Sequence, residues 1–561
     1  MFPESTLPGR KALLYLLLMS GPLIFLFFFF YYPLSSILQG GLTDDQGRFT
    51  ISRIGSILSD PYYRGIIYFT VKQAFLSTLL SISLGLPGAY LLAKYDFRGK
   101  NVIRALTTIP FVLPSIIVVL GFVRFFGNNG ILNRLLMGLF RVEEPPLRIL
   151  YSMKAILLAH AFYNFPICIR IVSALWSRLN PDFEDAARSM GAHGFRLFRE
   201  VTLPRILPAI LASGALIFIF CLLSFAIVMV LGGGPRFTTL EVEVYRLAKV
   251  SVDLKMGSAL ALIGSFLSSI FLYLYIRLQR KMSFAEEITA NFERKRLSVL
   301  LKQPAGIFFV LYMLLIAVLI IAPMAAVVYT SFLKRSGWGG STAYSLDWYM
   351  RLIFASGLYT RSILNSLFFG FMTILFALPL GTLIAYLGSR REKKNSSILE
   401  SLMMLPMGVS SIMLGLGYIK AFQGFPVKIT GSWYAIVLAH TVISYPFVIR
   451  SVSSMFRKIK PSLLEAARSL GADSWQLFWQ LELPLIRGSL ITGAAFAFAI
   501  SIGEINATLM LAGPQAMTIP VAIYRLISSY NFIGACAMGT ILMAISFLTF
   551  LIIDRVGEGI G

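Results

Sequence analysis

The chain has 561 residues, of which 57% are hydrophobic and only 14% charged, whereas a soluble globular protein carries about a quarter charged. Its net charge is +24, from 50 Lys+Arg against 26 Asp+Glu, and it has three cysteines. These values exclude a water-soluble core, because the apolar residues fall in long blocks that only lipid can solvate; the basic residues sit in short loops between those blocks, which excludes a nucleic-acid face, and Cys168, Cys221 and Cys536 lie in apolar segments without metal or disulfide spacing.

In chain order, Arg10 and Lys11 precede an apolar stretch at 12–33. It is long enough to span a bilayer and no small-residue cleavage site follows, so it reads as a retained first helix and not a signal peptide. Further spans of about 20 apolar residues are expected near 66–93, 107–126, 148–174, 206–231 and 255–278. A second set follows near 304–331, 362–388, 400–421, 432–456, 486–511 and 531–555. Pro110, Pro114 and Pro406 fall in the third and ninth spans, where they predict kinks or broken turns. The expected fold class is an all-α, polytopic membrane protein with about twelve transmembrane helices.

Lys and Arg set the orientation. With the N-terminus inside, three basic loops become cytoplasmic, as the positive-inside rule requires. One holds Lys94, Arg98, Lys100 and Arg104; the central one holds Arg277, Arg280, Lys281, Arg294, Lys295, Arg296 and Lys302; the third holds Arg390, Arg391, Lys393 and Lys394. Arg48, Arg53 and Arg64 share an outer loop with Asp44, Asp45 and Asp60, so the bias is clear without being complete.

The sequence repeats itself. LLAHAFYNFPICIRIVSALWSRLNP at 157–181 matches VLAHTVISYPFVIRSVSSMFRKIKP at 437–461, pairing His160 with His440 and Arg170 with Arg450. Upstream, Gly85, Ala89, Tyr90 and Pro110 match Gly381, Ala385, Tyr386 and Pro406; downstream, Tyr245-Arg246-Leu247 matches Tyr524-Arg525-Leu526. Matching helices are separated by six spans and keep one orientation, which makes a parallel six-plus-six duplication. The expected domains are a first lobe at 1–278, a cytoplasmic linker at 279–303 and a second lobe at 304–561.

One loop occurs twice, after the fourth span of each half. It runs Pro181-Asp182-Phe183-Glu184-Asp185-Ala186-Ala187-Arg188-Ser189-Met190-Gly191 in the first copy. The second runs Pro461-Ser462-Leu463-Leu464-Glu465-Ala466-Ala467-Arg468-Ser469-Leu470-Gly471. Proline suits a first helical position, early acids suit the positive end of the helix dipole, and a terminal glycine permits a left-handed cap. Short helices at 181–191 and 461–471 follow, each leading through an amphipathic stretch to Leu203-Pro204 or Leu483-Pro484. A lipid-facing repeat has no need of this shared polar core; a docking surface for a two-fold partner does.

These residues resemble the EAA loop of the ABC importer permeases, the binding-protein-dependent inner-membrane components. The resemblance covers nearly the whole chain and implies a type I permease-like fold of two six-helix lobes. It implies that Glu184, Asp185, Ala186, Ala187 and Gly191 in one copy, and Glu465, Ala466, Ala467 and Gly471 in the other, couple to an ATPase. Asp185 departs from the family's glutamate, so the two docking sites need not contribute equally. Two copies of a separate ATPase subunit, a periplasmic substrate-binding protein and membrane lipid are the implied partners. The implied place is the bacterial inner membrane, multi-pass, with both termini cytoplasmic. Fused two-lobed permeases of this kind resemble thiamine and ferric-iron importers. QAFLSTLLS at 73–81, LLAHAFYNFP at 157–166 and SFAIVMVLGGGP at 224–235 look closest to the thiamine type. Thiamine or its phosphates is therefore the first expectation for the substrate, and ferric iron the second.

No G-x-x-x-x-G-K-[ST] stretch occurs, so no ATPase site, catalytic residue, metal or cofactor is expected in this chain, and ATP and Mg belong to the partner. Candidates for lining the pathway or a gate are Glu504, its repeat counterpart Ser224, and the intramembrane His160 and His440, since polar groups in lipid are costly and suggest a role. A hydrogen-bonded structural role competes at each. An ion-coupled secondary transporter can also be built six-plus-six, but it needs midplane coupling residues beyond these few and has no use for matched Ala-Ala-Gly helices.

Overall fold

The structure, a computed structural model, describes residues 19–558 except 101–102, 105–106, 108–112, 181, 286–294, 297–303, 336–341, 356, 390–401 and 427–428. The expectations on Arg10, Lys11, Pro110 and Pro181, on most of the linker 279–303 and on the basic residues 390–394 lie outside the described residues. Among the described residues eleven helices are long and apolar enough to cross a membrane, and one further pair, Leu402–Gly408 and Ser411–Ala421, is bent by 109° at its break. Pro406 sits just before that break, in a short 3-10 turn, and Ser410 restarts the helix by accepting from the amides of Ile412 and Met413.

The first half runs α1 (Met19–Leu42) and α2 (Pro61–Lys94), then α3 (Ser115–Phe126), α4 (Met153–Trp176), the surface helix α5 (Asp182–Ser189), α6 (Leu203–Leu222), α7 (Ala226–Leu231), α8 (Leu240–Lys249) and α9 (Leu254–Ala285). The second runs α10 (Pro304–Ser331), α11 (Leu358–Ser389), α12 (Ser411–Ala421), α13 (Trp433–Phe456), the surface helix α14 (Pro461–Ser469), α15 (Leu483–Gly503), α16 (Asn506–Leu511), α17 (Ile519–Ser528) and α18 (Phe532–Glu558). Among the described residues strand structure is confined to two small pairs; in one of them β1 (Tyr95–Asp96) lies parallel to β2 (Lys295–Arg296).

Three spans differ from the sequence expectation. The first helix continues past Pro33 to Leu42, because a π-helical turn at Phe27–Tyr31 leads into a new helical stretch whose first residues include that proline. The runs at 206–231 and 486–511 are not single helices: each breaks after about five turns, into α6 and α7 or α15 and α16.

The chain forms two compact units, and they cut across the two sequence halves. One comprises 1–53, 244–262 and 344–561; the other comprises 54–243 and 263–343. In the first unit α1 packs on α12: Tyr418 donates to the Phe29 carbonyl at 3.0 Å, and an added Cβ on Gly417 would come within 2.9 Å of the Pro33 carbonyl. In the second unit α10 packs on α3 in the same way: a Cβ on Gly121 would come within 3.0 Å of the Pro323 carbonyl, and Arg124 donates to Thr330 at 3.2 Å. Each half thus lends its first helix to the unit built around the third span of the other.

Within each unit, small residues let helices approach closely, the usual packing where lipid offers no hydrophobic drive. A Cβ at Gly85 of α2 would meet Cys168 and the Phe165 carbonyl of α4 at 2.7 and 2.9 Å. Its repeat counterpart Gly381 of α11 would meet Val448 and the Tyr445 carbonyl of α13 at 2.7 and 3.1 Å. The matched glycines of the sequence are therefore matched helix crossings.

Candidate functional site

The duplicated loops form α5 and α14, both exposed along most of their length. They end alike. Gly191 and Gly471 take φ of 87° and 91°, the left-handed region open to glycine. Ala192 donates to the Ala187 carbonyl and Gly191 to that of Arg188; Ala472 and Gly471 repeat this with Ala467 and Arg468. This double closure is the Schellman motif. Just before it, Met190 and Leu470 stand 88% and 89% exposed. Both are the variable position of Ala-Ala-Arg-Ser-x-Gly, and sequence reading passed over them although both copies place an apolar residue there.

The inward fastening of the two helices differs. On α5, Glu184 accepts from Lys94 of α2 at 2.9 Å and from Thr202 at 3.2 Å. Asp185 is tied to Arg188 at 2.7 Å, and Phe183 stacks under Arg205 at 3.5 Å. On α14 the position of Glu184 is taken by Leu464, which is buried, and the counterpart of Thr202 is the buried Glu482. Glu465 is exposed and makes no ion pair among the described residues. Ala186 and Ala466 are exposed, with Ala187 and Ala467 half-buried, so the alanine edge is equivalent in both.

The intramembrane candidates fall into two further clusters, one per half. In the second, His440 bonds Ser501 through Nδ1 at 2.8 Å and Thr508 through Nε2 at 2.8 Å; Thr373 joins Ser501 at 3.1 Å. Glu504 occupies the break between α15 and α16. Its carboxylate accepts from the amides of Asn506 and Thr508, both at 3.1 Å, and so supplies acceptors to the first turn of α16. In the first half His160 bonds Ser77 through Nδ1 at 3.1 Å, Asn164 donates to Cys221 Sγ at 3.4 Å, and Gln73 donates to the Cys221 carbonyl at 2.9 Å. His160 Nε2, Asn164 Oδ1 and Gln73 Oε1 have no hydrogen-bond partner among the described residues. Ser224 lies half-buried in the break between α6 and α7, the place that Glu504 holds in the other half. The hydroxyl partners Ser77, Thr373, Ser501 and Thr508 escape a reading of one sequence, because Ser and Thr are common in spans.

The helices α8 and α17 are docked by one device: the Leu240 amide donates to Thr70 at 3.0 Å, and the Ile519 amide to Ser366 at 2.8 Å. Each carries Tyr-Arg-Leu with the tyrosine half-buried, the arginine exposed and the leucine buried. The two tyrosines come together. Burial, with the Tyr524 phenol adding, pushes the Tyr245 phenol up to about 12, and the Arg525 guanidinium opposes this. Near the outset of α9, Lys255 hydrogen-bonds Asp45 at 2.6 Å, which, with Arg53 beside it, holds that carboxyl below the ordinary carboxylate range. Among the described residues no group of three or more His, Cys, Asp or Glu side chains is placed to hold a metal ion.

The family described as binding-protein-dependent transport system inner membrane component matches this sequence twice, at residues 85–284 and 350–560. The thiamine transport system permease protein ThiP of Haemophilus influenzae is 25% identical over 504 residues, 88% of this chain and 89% of that protein. The ferric transport system permease protein FbpB of Actinobacillus pleuropneumoniae is 24% identical over 516 residues, 91% of this chain and 74% of that protein. A bacterial ABC transporter involved in import of the acidic polysaccharide alginate is similar in structure at a TM-score of 0.41 and 17% identity, over 50% of this chain and 98% of that chain.

Proposed function

Because the chain belongs to the family of binding-protein-dependent transport system inner membrane components, matched once in each half, we propose that it is the fused permease of an importer for thiamine or a thiamine phosphate. The single observation that carries the coupling role is the pair α5 and α14: two exposed helices with the same alanine edge, the same glycine closure and an apolar knob at Met190 or Leu470. Exposed apolar residues at matched places favour docking of a partner. Two copies of an ATPase subunit seat on these helices at the cytoplasmic face, and a periplasmic binding protein delivers substrate at the other. ATP with Mg binds in the ATPase pair. Its closure draws α5 and α14 together and switches the permease between inward and outward access. Both termini are cytoplasmic in this arrangement.

Glu504 and Ser224, at matching breaks of the fifth span, are the residues that a moving pathway reaches first. His440 is the positioning residue for Glu504, through Thr508, and His160, held by Ser77, is the matching candidate in the first half. The substrate assignment rests on similarity to thiamine transport system permease proteins that align over nearly nine-tenths of the chain, and ferric iron is its competitor.

The test is transport by the chain reconstituted in vesicles with its ATPase and binding protein. Uptake of labelled thiamine that needs ATP and the binding protein is the expected result. Uptake driven by a proton gradient with no ATPase present would overturn the importer reading, and ATP-driven uptake of iron but not thiamine would overturn the substrate alone.

A further inference from the structure

The polar cluster of the first half holds more hydrogen-bonding capacity than it uses. Gln73 and Ser77 of α2, His160 and Asn164 of α4 and Cys221 of α6 meet there, inside one unit and each at most 1% exposed. Both amides are held one way round. Gln73 donates to the Cys221 carbonyl at 2.9 Å, and Asn164 to the His160 carbonyl at 3.0 Å. The nitrogen must face the carbonyl, so the amide oxygen is the atom left over. Those two oxygens and His160 Nε2 have no hydrogen-bond partner among the described residues. Three such atoms in one buried cluster are costly, and a native fold that keeps them calls for a reason.

Helix capping does not supply the reason. Cys221 lies in the last turn of α6, whose carbonyls lack helical donors, and Gln73 supplies one. That task uses the amide nitrogen and leaves its oxygen idle. The second half does the same work with nothing left over. In the register of Gly85 and Gly381, Phe369 stands for Gln73; in that of His160 and His440, Ser444 stands for Asn164. Thr373, His440, Ser444, Ser501 and Thr508 are all hydrogen-bonded there. The surplus belongs to the first half, and it consists of acceptors: two amide oxygens, joined by Nε2 when Nδ1 carries the histidine proton. By its match to α16, α7 is the element that faces Nε2: it packs on α4 and bears Val228 where Thr508 serves His440. This helix of six residues is set off from α6 by Leu223–Phe225 and runs into Gly232-Gly233-Gly234, the last two at φ of 69° and 115°.

Resting on the importer reading above, we propose that these acceptors are the permease's own recognition site for a substrate group that carries N–H donors, the amino group of an aminopyrimidine, and that displacement of α7 opens the site during transport. Thiamine carries such an amine. The site is built into one half only, so the substrate is read by the first half while the second closes on its own hydroxyls.

The experiment uses the full chain reconstituted with its ATPase and binding protein, the latter saturated with thiamine or with the analogue that has oxygen in place of the amine. Val228→Thr gives His160 the hydroxyl that Thr508 gives His440. It is expected to raise the unfolding temperature and yet to cut thiamine uptake several-fold. Higher stability with unaltered uptake, the result for a purely structural cluster, overturns the proposal. Asn164→Ser copies the second half and is expected to lose preference for thiamine over the analogue; a preference equal to that of the unaltered chain overturns the proposal as well. Failure of the importer reading shows separately, as the absence of ATP-driven thiamine uptake by the unaltered chain. The site is then judged through Cys221 in the unaltered chain. A water-soluble thiol reagent should label Cys221 during turnover of whatever substrate the chain moves, and much more slowly at rest, with peptide mapping to separate it from Cys168 and Cys536. A Cys221 that stays unlabelled through turnover overturns the proposal.

Discussion

At α5 a carboxylate turns inward, from Glu184 to Lys94 and Thr202, whereas at α14 the same position is the buried Leu464. Outside, the two helices cannot be told apart by their glycine closure, their alanine edge or the exposed knob at Met190 and Leu470. The difference teaches which part of a repeat is constrained. A partner that docks from outside sees the closure and the knob, so these match. The fastening beneath differs between the halves: Glu184 takes Lys94 and Thr202 where Leu464 is buried.

The sharpest way to break the outer equivalence is to strain both closures. Valine at φ near 90° costs about 1–2 kcal/mol or more. Gly191→Val and Gly471→Val are each expected to cut ATP-driven uptake by about tenfold, the equivalent of about 1.4 kcal/mol, with the chain still inserted. The carboxylates then separate the copies. Asp185 is held by Arg188 while Glu465 is exposed and makes no ion pair among the described residues, so Glu465→Ala is expected to lower uptake per ATP hydrolysed more than Asp185→Ala. Equal losses would show that the substitution is sequence drift.

The same contrast, a filled network against an open one, recurs in the membrane. His440 uses both ring nitrogens, but His160 uses one, because Val228 stands where the second half has Thr508. His440→Ala is expected to cost about 2–4 kcal/mol of stability, and His160→Ala about 1–2. Thermal unfolding of the detergent-solubilised chain measures both. A His160→Ala variant that unfolds as early as His440→Ala would remove the distinction.

Much of this was legible in the sequence, and what was not has physical reasons. Apolar block length located the spans, and the matched loops located α5 and α14, since both signals are local. The break within the fifth span of the first half was hidden, because no proline or glycine marks Leu223-Ser224-Phe225, whereas Gly503 stands at the matching break of the second. Glu504 was conspicuous, but its service to the amides of Asn506 and Thr508 exists only once the helix is broken. The exchange of α1 and α10 between units was equally out of reach, because it depends on which neighbour Pro33 and Pro323 meet, and a hydropathy pattern carries no neighbour.

A further, local effect should appear in the fastening itself. Leu464→Ala is expected to loosen α14 by about 2–3 kcal/mol, and Glu184→Ala to loosen α5 by about 1–2 kcal/mol while leaving Lys94 without its carboxylate. Salt distinguishes them. Raising ionic strength from about 0.05 to 1 M shortens the screening length severalfold, so the partly exposed Lys94–Glu184 pair should weaken and Leu464 should not. Hydrogen exchange of residues 182–192 and 461–472 reads this directly. Salt-insensitive protection of 182–192 would mean that the pair contributes nothing to holding α5.

The smallest expected effect lies just past the glycines. Asp473 accepts from the Gln476 amide at 2.7 Å, and the Gln476 side chain accepts from the Asp473 amide at 3.1 Å, a reciprocal capping box. The first copy has His193 there, with no side-chain cap. Asp473→Ala should therefore cost about 1 kcal/mol of local stability, seen as faster exchange at 474–477, and His193→Ala should cost nothing. The reverse graft tests why. His193→Asp with Arg196→Gln supplies both side chains of the box, but Gly194 follows at φ 56°, outside the helical region, and so turns the next amides away from an acceptor at 193. That double variant should gain no protection, and only the triple variant that also carries Gly194→Ser, which favours negative φ, should slow exchange at 195–197. A full gain from the double variant would show that the missing side chains, and not the left-handed glycine, keep the first copy uncapped.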